Sequence, residues 1–260
     1  MFRVPDEHVL ALARAHPEFL ACASVHPHRT DALARLEAAR AGGAVAVKWL
    51  PPSMGIDPSE ARHGPYYAKL VELGMPLLVH TGEERAVWNA GEEELGNPLL
   101  LRAPLAAGVR VVALHCASLG ELADLDAPGT PRRVGFELFL RLLEEQGPAG
   151  QLFGELSATV QRNRDPDVLA TLLARPELHG RLLNGSDYPL VALDPLTSLA
   201  RLARAGLVAS DERAALRELF EANPLLFDFV LKRRLRRELG SSRPSFSAGV
   251  FETARLFDKL

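Results

Sequence analysis

Short apolar runs with strand character alternate with helix-like segments along most of this chain. The helix-like segments have helical spacing and clear ends, as in the one that follows Asp31 and stops at Gly42-Gly43. Alternation of this kind, with short links, predicts an α/β fold in which helices cover a parallel sheet. Six strand-like runs are found, near Val25, Lys48, His80, His115, Leu156 and Asp187.

Three of these runs end in a residue type that binds metal ions. PLLV leads to His80, VRVVAL leads to His115, and RLLNGS leads to Asp187. A strand buried on both faces is a nearly continuous apolar run, so its last residue is the first that can reach a substrate. Barrel enzymes carry their chemistry at this end of the strands, and imidazole and carboxylate are common ligands of catalytic metals. The pattern predicts a metal site formed by these three side chains.

Composition excludes several other classes of function. A chain of 260 residues with 47% hydrophobic residues can build one sizeable core, and its net charge of −3 argues against nucleic acid or an anionic membrane as a partner. Two cysteines do not make a disulfide framework, and no segment resembles a signal peptide or a membrane span. We therefore expect a cytoplasmic protein. Phosphate-binding loops, nucleophile elbows and dinucleotide fingerprints are absent from the sequence.

Six segments, in order and spacing, carry a family resemblance: AVKWLPPSMGIDP, PLLVHTGEE, VALHCASLG, FGELSA, LLNGSDYPL and NPLLFDFVL. From about Val4 to Phe229 the chain is similar to the amidohydrolase superfamily. The resemblance is strongest to the metal-dependent branch that includes aminocarboxymuconate-semialdehyde decarboxylase. It implies a TIM-type (β/α)8 barrel, with strands three to eight over residues 1–208 and a C-terminal helical extension over residues 209–260 packed on the barrel.

The resemblance also implies roles for the three strand-end residues. His80 would bind the metal, His115 would bind metal or polarise the substrate, and Asp187 would bind metal and transfer protons. The expected cofactor is a divalent ion, zinc or manganese, and the expected partner is a small polar substrate. The reaction would be hydrolysis of a C–N or C–O bond by metal-activated water. The alternative is metal-dependent, non-oxidative decarboxylation of a small carboxylic acid.

One expected motif is missing, because the family's first strand ends in His-x-His and the matched region begins after the second strand. His26-Pro27-His28 imitates this motif, but FLACASVHP fits the family's third strand. We interpret His26 and His28 as loop residues at the rim, with metal ligation as the alternative. Three explanations of this gap stay open. The chain is an inactive or truncated scaffold, its start is assigned too far downstream, or a neighbouring subunit, as in a homo-oligomer, supplies the missing part.

Polar residues near the predicted strand ends are candidates for contacts with the substrate. For Lys48 we expect contact with a substrate anion rather than a metal bridge, and Glu155 is a candidate for orienting a ligand histidine. Charged loop residues usually contact only solvent, and this is the alternative to substrate binding for the charged candidates. The remaining candidates are Glu83, Glu84, Arg85, Arg162 and Asn163.

Overall fold

The predicted alternation of strands and helices is present in the computed structural model, which describes residues 4–88, 91–147, 150–238 and 240–257. The strands of this described chain are β1 Ala21–Ala23, β2 Ala44–Trp49, β3 Leu77–His80, β4 Val111–Leu114, β5 Glu121–Ala123, β6 Arg132–Val134, β7 Leu152–Glu155 and β8 Leu182–Leu183. Its α-helices are α1 Asp6–Ala15, α2 Ala32–Ala41, α3 Pro51–Met54, α4 Gly64–Glu72, α5 Arg102–Ala106, α6 Gly135–Glu145, α7 Pro166–Leu173, α8 Leu199–Arg204, α9 Arg213–Ala222 and α10 Pro224–Arg234.

The described chain forms two compact units, one that runs to Phe153 and takes in the last residues from Leu256, and a second over Gly154–Arg255. In the first unit, β1, β2, β3 and β4 lie side by side in that order and pair in parallel. In the second, the end of β7 pairs in parallel with β8. The α/β class is therefore confirmed, whereas closure into an eight-stranded barrel and the boundary near residue 208 stay predictions.

The parallel register in the first unit decides which residues share a face. Lys48 pairs with Leu78, and His80 follows two residues later on the same strand. Since side chains alternate along a strand, Lys48, Leu78 and His80 lie on one face. Val47 and Trp49 occupy the other face and are fully buried.

Several predicted element ends were wrong. We expected strands up to His115 and Asp187, but β4 ends at Leu114 and β8 at Leu183. His115, directly after β4, and Asp187, four residues after β8, take positive φ angles of 62° and 57°, which a strand does not allow. Within the segment expected to be a helical extension, the chain breaks between α9 and α10 at Asn223, whose side chain caps α10 ahead of Pro224. None of the described helices is long and apolar enough to cross a bilayer.

Candidate active site

His80 and His115 lie next to each other at the ends of the neighbouring strands β3 and β4. Their ring centroids are 5.0 Å apart in an edge-on arrangement, and each residue is only 4% exposed. The pairing of His80 with Leu114 in the parallel register brings them together, because His115 follows Leu114 directly. The structure thus brings His80 and His115 into contact at the ends of neighbouring strands, and their roles in metal binding stay predictions.

Thr81 fixes the two strand ends relative to each other. Its hydroxyl donates a hydrogen bond to the Leu114 carbonyl oxygen (2.7 Å) and accepts one from the Ala117 backbone N–H (3.0 Å). The next residue, Gly82, has φ +90°, and a Cβ there would lie 2.8 Å from the Leu119 carbonyl oxygen. Only glycine fits this close approach of two backbones. The Thr81-Gly82 pair therefore holds the His80 loop against the His115 turn.

His115 and Asp187 are two of the six non-glycine residues with a positive φ in the described part of the chain. His115, Cys116 and Ala117 form a consecutive left-handed stretch, with φ angles of 62°, 51° and 47°, and Asp187 is also left-handed. Such conformations cost on the order of 1–3 kcal/mol per non-glycine residue and occur mostly at functional sites. Because strained positions persist only where the surroundings enforce them, this observation supports functional roles for His115 and Asp187.

Glu84 is a buried carboxylate beside His80, a contact that the sequence did not indicate. Its Oε2 lies 3.4 Å from His80 Nδ1, and its Oε1 accepts hydrogen bonds from the Ala86 and Val87 backbone N–H groups. The other ring nitrogen of His80, Nε2, lies 3.4 Å from the Glu83 carbonyl oxygen. A carboxylate that faces one ring nitrogen of a ligand histidine orients the ring and fixes its tautomer.

A cavity of about 820 Å³ opens within the first unit, and Lys48 and Cys22 from β2 and β1 line it. Val87, from the loop that contains Glu84, contributes to the same wall. No described residue forms a hydrogen bond or ion pair with Lys48, whereas Arg29 and Arg35 on the cavity wall both pair with Asp31. Among the residues that the structure describes, the Lys48 ammonium is thus a positive charge on the cavity wall without an ion pair, and the Asp6 carboxylate lies on the same wall.

Four other candidates are placed less favourably for binding a substrate. Glu83 and Arg85 pair with each other through Glu83 Oε2 (2.6 Å), which reduces the charge that either offers. Arg162 and Asn163 are exposed in the second unit. Their predicted substrate contacts stay predictions.

His26 is unsuited to metal binding in this conformation. Its Nδ1 accepts a hydrogen bond from the His28 backbone N–H (3.2 Å), so its Nε2 carries the proton and donates to the Met54 carbonyl oxygen (3.0 Å). Both ring nitrogens are thus occupied. The alternative in which His26 and His28 act as a His-x-His pair finds no support here, and His28 instead faces Glu60 and His63.

In the second unit, Asp187 lies in a loop that buried groups support. The Lys232 ammonium donates to the Gly185 carbonyl oxygen (2.5 Å) and to Asp228 Oδ2 (2.8 Å). Glu155 accepts two hydrogen bonds from Ser157, and its carboxylate lies so close to Gly185 that a Cβ there would be 1.7 Å from Glu155 Oε1. The sequence indicated the position of Asp187 but not the buried Lys232–Asp228 ion pair, because a lysine near a helix end is usually exposed to solvent.

Comparison with known proteins identifies the family. The sequence profile of the amidohydrolase family matches residues 2–227 of the chain. The chain belongs to the amidohydrolase family. An uncharacterised TIM-barrel protein from Bordetella bronchiseptica has the same fold, with 17% identity and a TM-score of 0.56 over 88% of this chain and 74% of that one.

A second solved structure with a similar fold comes from Acinetobacter baumannii, a probable 2-pyrone-4,6-dicarboxylic acid hydrolase with citric acid bound. It shares 13% identity and a TM-score of 0.51 over 86% of this chain and 78% of that one. At this identity the two structures establish the fold alone. No curated protein matches the chain.

Proposed function

We propose that this amidohydrolase-family protein is a metal-dependent hydrolase of a small substrate that carries a carboxylate. The observation that supports this best is the buried pair of His80 and His115, with Glu84 facing His80 Nδ1. Nitrogen and oxygen donors of this kind suit zinc or manganese. His80 is the proposed ligand in the first unit, His115 is proposed to bind the metal or polarise the substrate, and Asp187 is proposed from the sequence as a further ligand.

When bound, such an ion lowers the pKa of a water molecule and polarises a carbonyl group. Glu84 keeps the His80 ring in place by accepting from Nδ1–H, so that Nε2 is the nitrogen left to act as a ligand. The weak contact of Nε2 with the Glu83 carbonyl, at 3.4 Å, is then given up. In the proposed mechanism His115 would stabilise the developing oxyanion, and Asp187, which is proposed from the sequence, would accept the proton of the attacking water.

Lys48 supports the choice of an anionic substrate. It lies on the same sheet face as His80, lines the cavity and has no described counter-ion. A hydrogen bond to a charged group contributes about 1.5–3 kcal/mol, enough to select a carboxylate over a neutral analogue. The cavity of about 820 Å³ is large enough for a small molecule of this class, and its lining includes Lys48 but neither His80 nor His115.

The experiment is a turnover assay on small lactones, esters and amides with and without a carboxylate, 2-pyrone-4,6-dicarboxylic acid among them. We expect hydrolysis that a chelator abolishes, zinc or manganese restores, and His80→Ala lowers by at least about 100-fold in kcat/KM. Lys48→Gln should raise KM about 10–100-fold for carboxylates only. Lys69→Gln is the matched control, because Lys69 pairs with Glu37 and Glu72 at the surface.

Turnover that survives both chelation and His80→Ala would contradict the proposal. Decarboxylation is the second candidate, because the same Lys48 ammonium would hold the carboxylate of a decarboxylase substrate. Mass spectrometry of the products separates the two reactions, since hydrolysis adds water and decarboxylation releases carbon dioxide.

A further inference from the structure

A second group of potential metal ligands lies outside the His80 site. His28 belongs to the loop after β1, and Glu60 and His63 belong to the segment before α4. One ligand atom from each residue lies within 4.8 Å of the other two, and in the described chain this is the single place where three His, Cys, Asp or Glu side chains do so. The arrangement brings together two loops that are distant in sequence.

The spacing of the ligand atoms fits a small divalent ion. His63 Nε2 lies 3.4 Å and His28 Nε2 lies 3.7 Å from Glu60 Oε2. Ligand bonds of about 2.0–2.1 Å in a tetrahedral zinc site place neighbouring donor atoms roughly 3.3 Å apart. Small side-chain movements would therefore complete the geometry. Two imidazoles and one carboxylate form a usual zinc donor set, with a fourth position left for water.

His63 has the features of a histidine prepared for a ligand. It is 1% exposed, and its Nε2 makes no hydrogen bond to any described residue. A hydrogen bond to the backbone of Asp57 engages its ring, and with Nε2 unbonded the nitrogen involved is Nδ1. A proton on Nδ1 leaves the Nε2 lone pair directed at the cluster, the tautomer that zinc-binding histidines use. A buried nitrogen without a hydrogen bond is costly unless something binds it.

Aromatic packing holds the ring in place. His63 lies edge-on to Trp49 (5.8 Å) and Tyr67 (6.1 Å) and stacks on His28, with centroids 5.2 Å apart and planes at 17°. His28 and Glu60 have side chains 28% and 35% exposed, so an ion can enter from their side. The buried His63 is therefore held in place, whereas the more exposed His28 and Glu60 can adjust to an ion.

Arg62 is the competing cation, because its Nε contacts Glu60 Oε2, the oxygen that faces both histidines. Its side chain is 58% exposed, and exposed ion pairs are weak and easily displaced. His26 contacts the His28 ring but cannot replace it, since both of its ring nitrogens are occupied.

We propose that His28, Glu60 and His63 form a zinc site that joins the loop after β1 to the segment before α4. The proposal is independent of the hydrolase function. The site leaves one coordination position on its exposed side.

Calorimetric titration of the metal-free protein with zinc chloride tests it, in a His80→Ala background that removes the proposed active-site ligand. We expect one zinc per chain, with affinity at least about 100-fold weaker in His28→Ala and in Glu60→Gln. Both positions are partly exposed, so neither change should prevent folding, which circular dichroism checks. His16→Ala is the matched control, as His16 is an exposed histidine 3.5 Å from Glu18.

Arg62→Ala provides a readout that a purely structural cluster would not give. Removal of the competing guanidinium should tighten zinc binding severalfold. Unchanged stoichiometry and affinity in both His28→Ala and Glu60→Gln would overturn the proposal. A failure of the proposed function would look different, because wild type and His80→Ala would then bind the same number of zinc ions.

Discussion

At the scale of single residues, the buried pair of Lys232 and Asp228 has the largest expected effect on stability. Both are almost fully buried, and burial raises the pKa of Asp228 while Lys232 opposes the shift. Removal of one member of a buried pair leaves an uncompensated charge and costs about 3–5 kcal/mol. We predict a loss of this size for Lys232→Met in urea unfolding.

Two further variants check the assignment. Lys232→Met combined with Asp228→Leu should recover much of the loss, because no charge is then left buried. Arg217→Met, which breaks exposed pairs with Asp194 and Glu221, should change the unfolding free energy by less than about 1 kcal/mol. Equal effects of Lys232→Met and Arg217→Met would show that Lys232 is not buried as described.

Cys22 gives a residue-scale prediction about pH. Burial raises the pKa of its thiol to about 12, with Lys48 opposing the shift. The folded state thus keeps the proton that the unfolded thiol loses near pH 9. Below pH 9 the thiol is protonated in both states and does not lower the free energy of unfolding. Between pH 9 and 12 the unfolded state alone loses the proton, so the free energy of unfolding decreases by up to about 1.4 kcal/mol per pH unit. Cys22→Ala should flatten the fall in stability over this range.

The same shift predicts slow alkylation. At pH 8, Cys22 should react with iodoacetamide far more slowly than free cysteine does, because the thiolate is the nucleophile. Peptide mapping of the labelled protein follows Cys22 separately from the buried Cys116. Labelling of Cys22 at the rate of free cysteine would contradict the pKa shift.

At the scale of elements, the contact between the ends of β3 and β4 depends on Thr81. Thr81→Val keeps the shape but leaves the Ala117 N–H and the Leu114 carbonyl without this partner, at a cost of about 1–3 kcal/mol. We predict a decrease of this size in the free energy of unfolding, measured by thermal unfolding. Metal binding should also be weaker, because the distance between the His80 and His115 rings is no longer fixed. Thr81→Ser keeps the hydroxyl and should behave like the wild type. Matching behaviour of the Val and Ser variants would exclude this role.

The sequence predicted some elements well and others poorly, for physical reasons. β2 lies where a strand near Lys48 was predicted, because a short, mostly apolar run rich in valine and alanine is a local signal. The turn at His115 depends on backbone contacts to Thr81, from the neighbouring strand, which no local pattern contains. The antiparallel pair β5–β6 was missed, and its exposed β6 is Arg-rich and lacks alternation.

At the scale of the whole molecule, the family and the α/β class could be read from ordered motifs, whereas the second cluster could not. His28, Glu60 and His63 are spread over two loops, and only their folded positions reveal that they converge. Glu84 was recognised as a candidate near the mouth, but its contact with His80 Nδ1 required the structure.

Metal binding should stabilise the whole molecule. An ion that binds only the folded state adds about 2.7 kcal/mol at a free concentration 100 times its Kd. We predict that zinc raises the melting temperature of the wild type and that the rise is smaller in His80→Ala and in His28→Ala. The double variant should show no rise. A full rise in the double variant would mean that zinc acts elsewhere.

The most direct test of the central claim is the zinc content of the purified protein in the His28→Ala background, measured by elemental mass spectrometry after dialysis. His28→Ala alone should hold close to one zinc per chain, and adding His80→Ala or Asp187→Ala should remove it. Folding is checked by circular dichroism in each case. Zinc that remains after each of the two additions, or a folded protein that binds neither zinc nor manganese, would contradict a metal-dependent active site at His80.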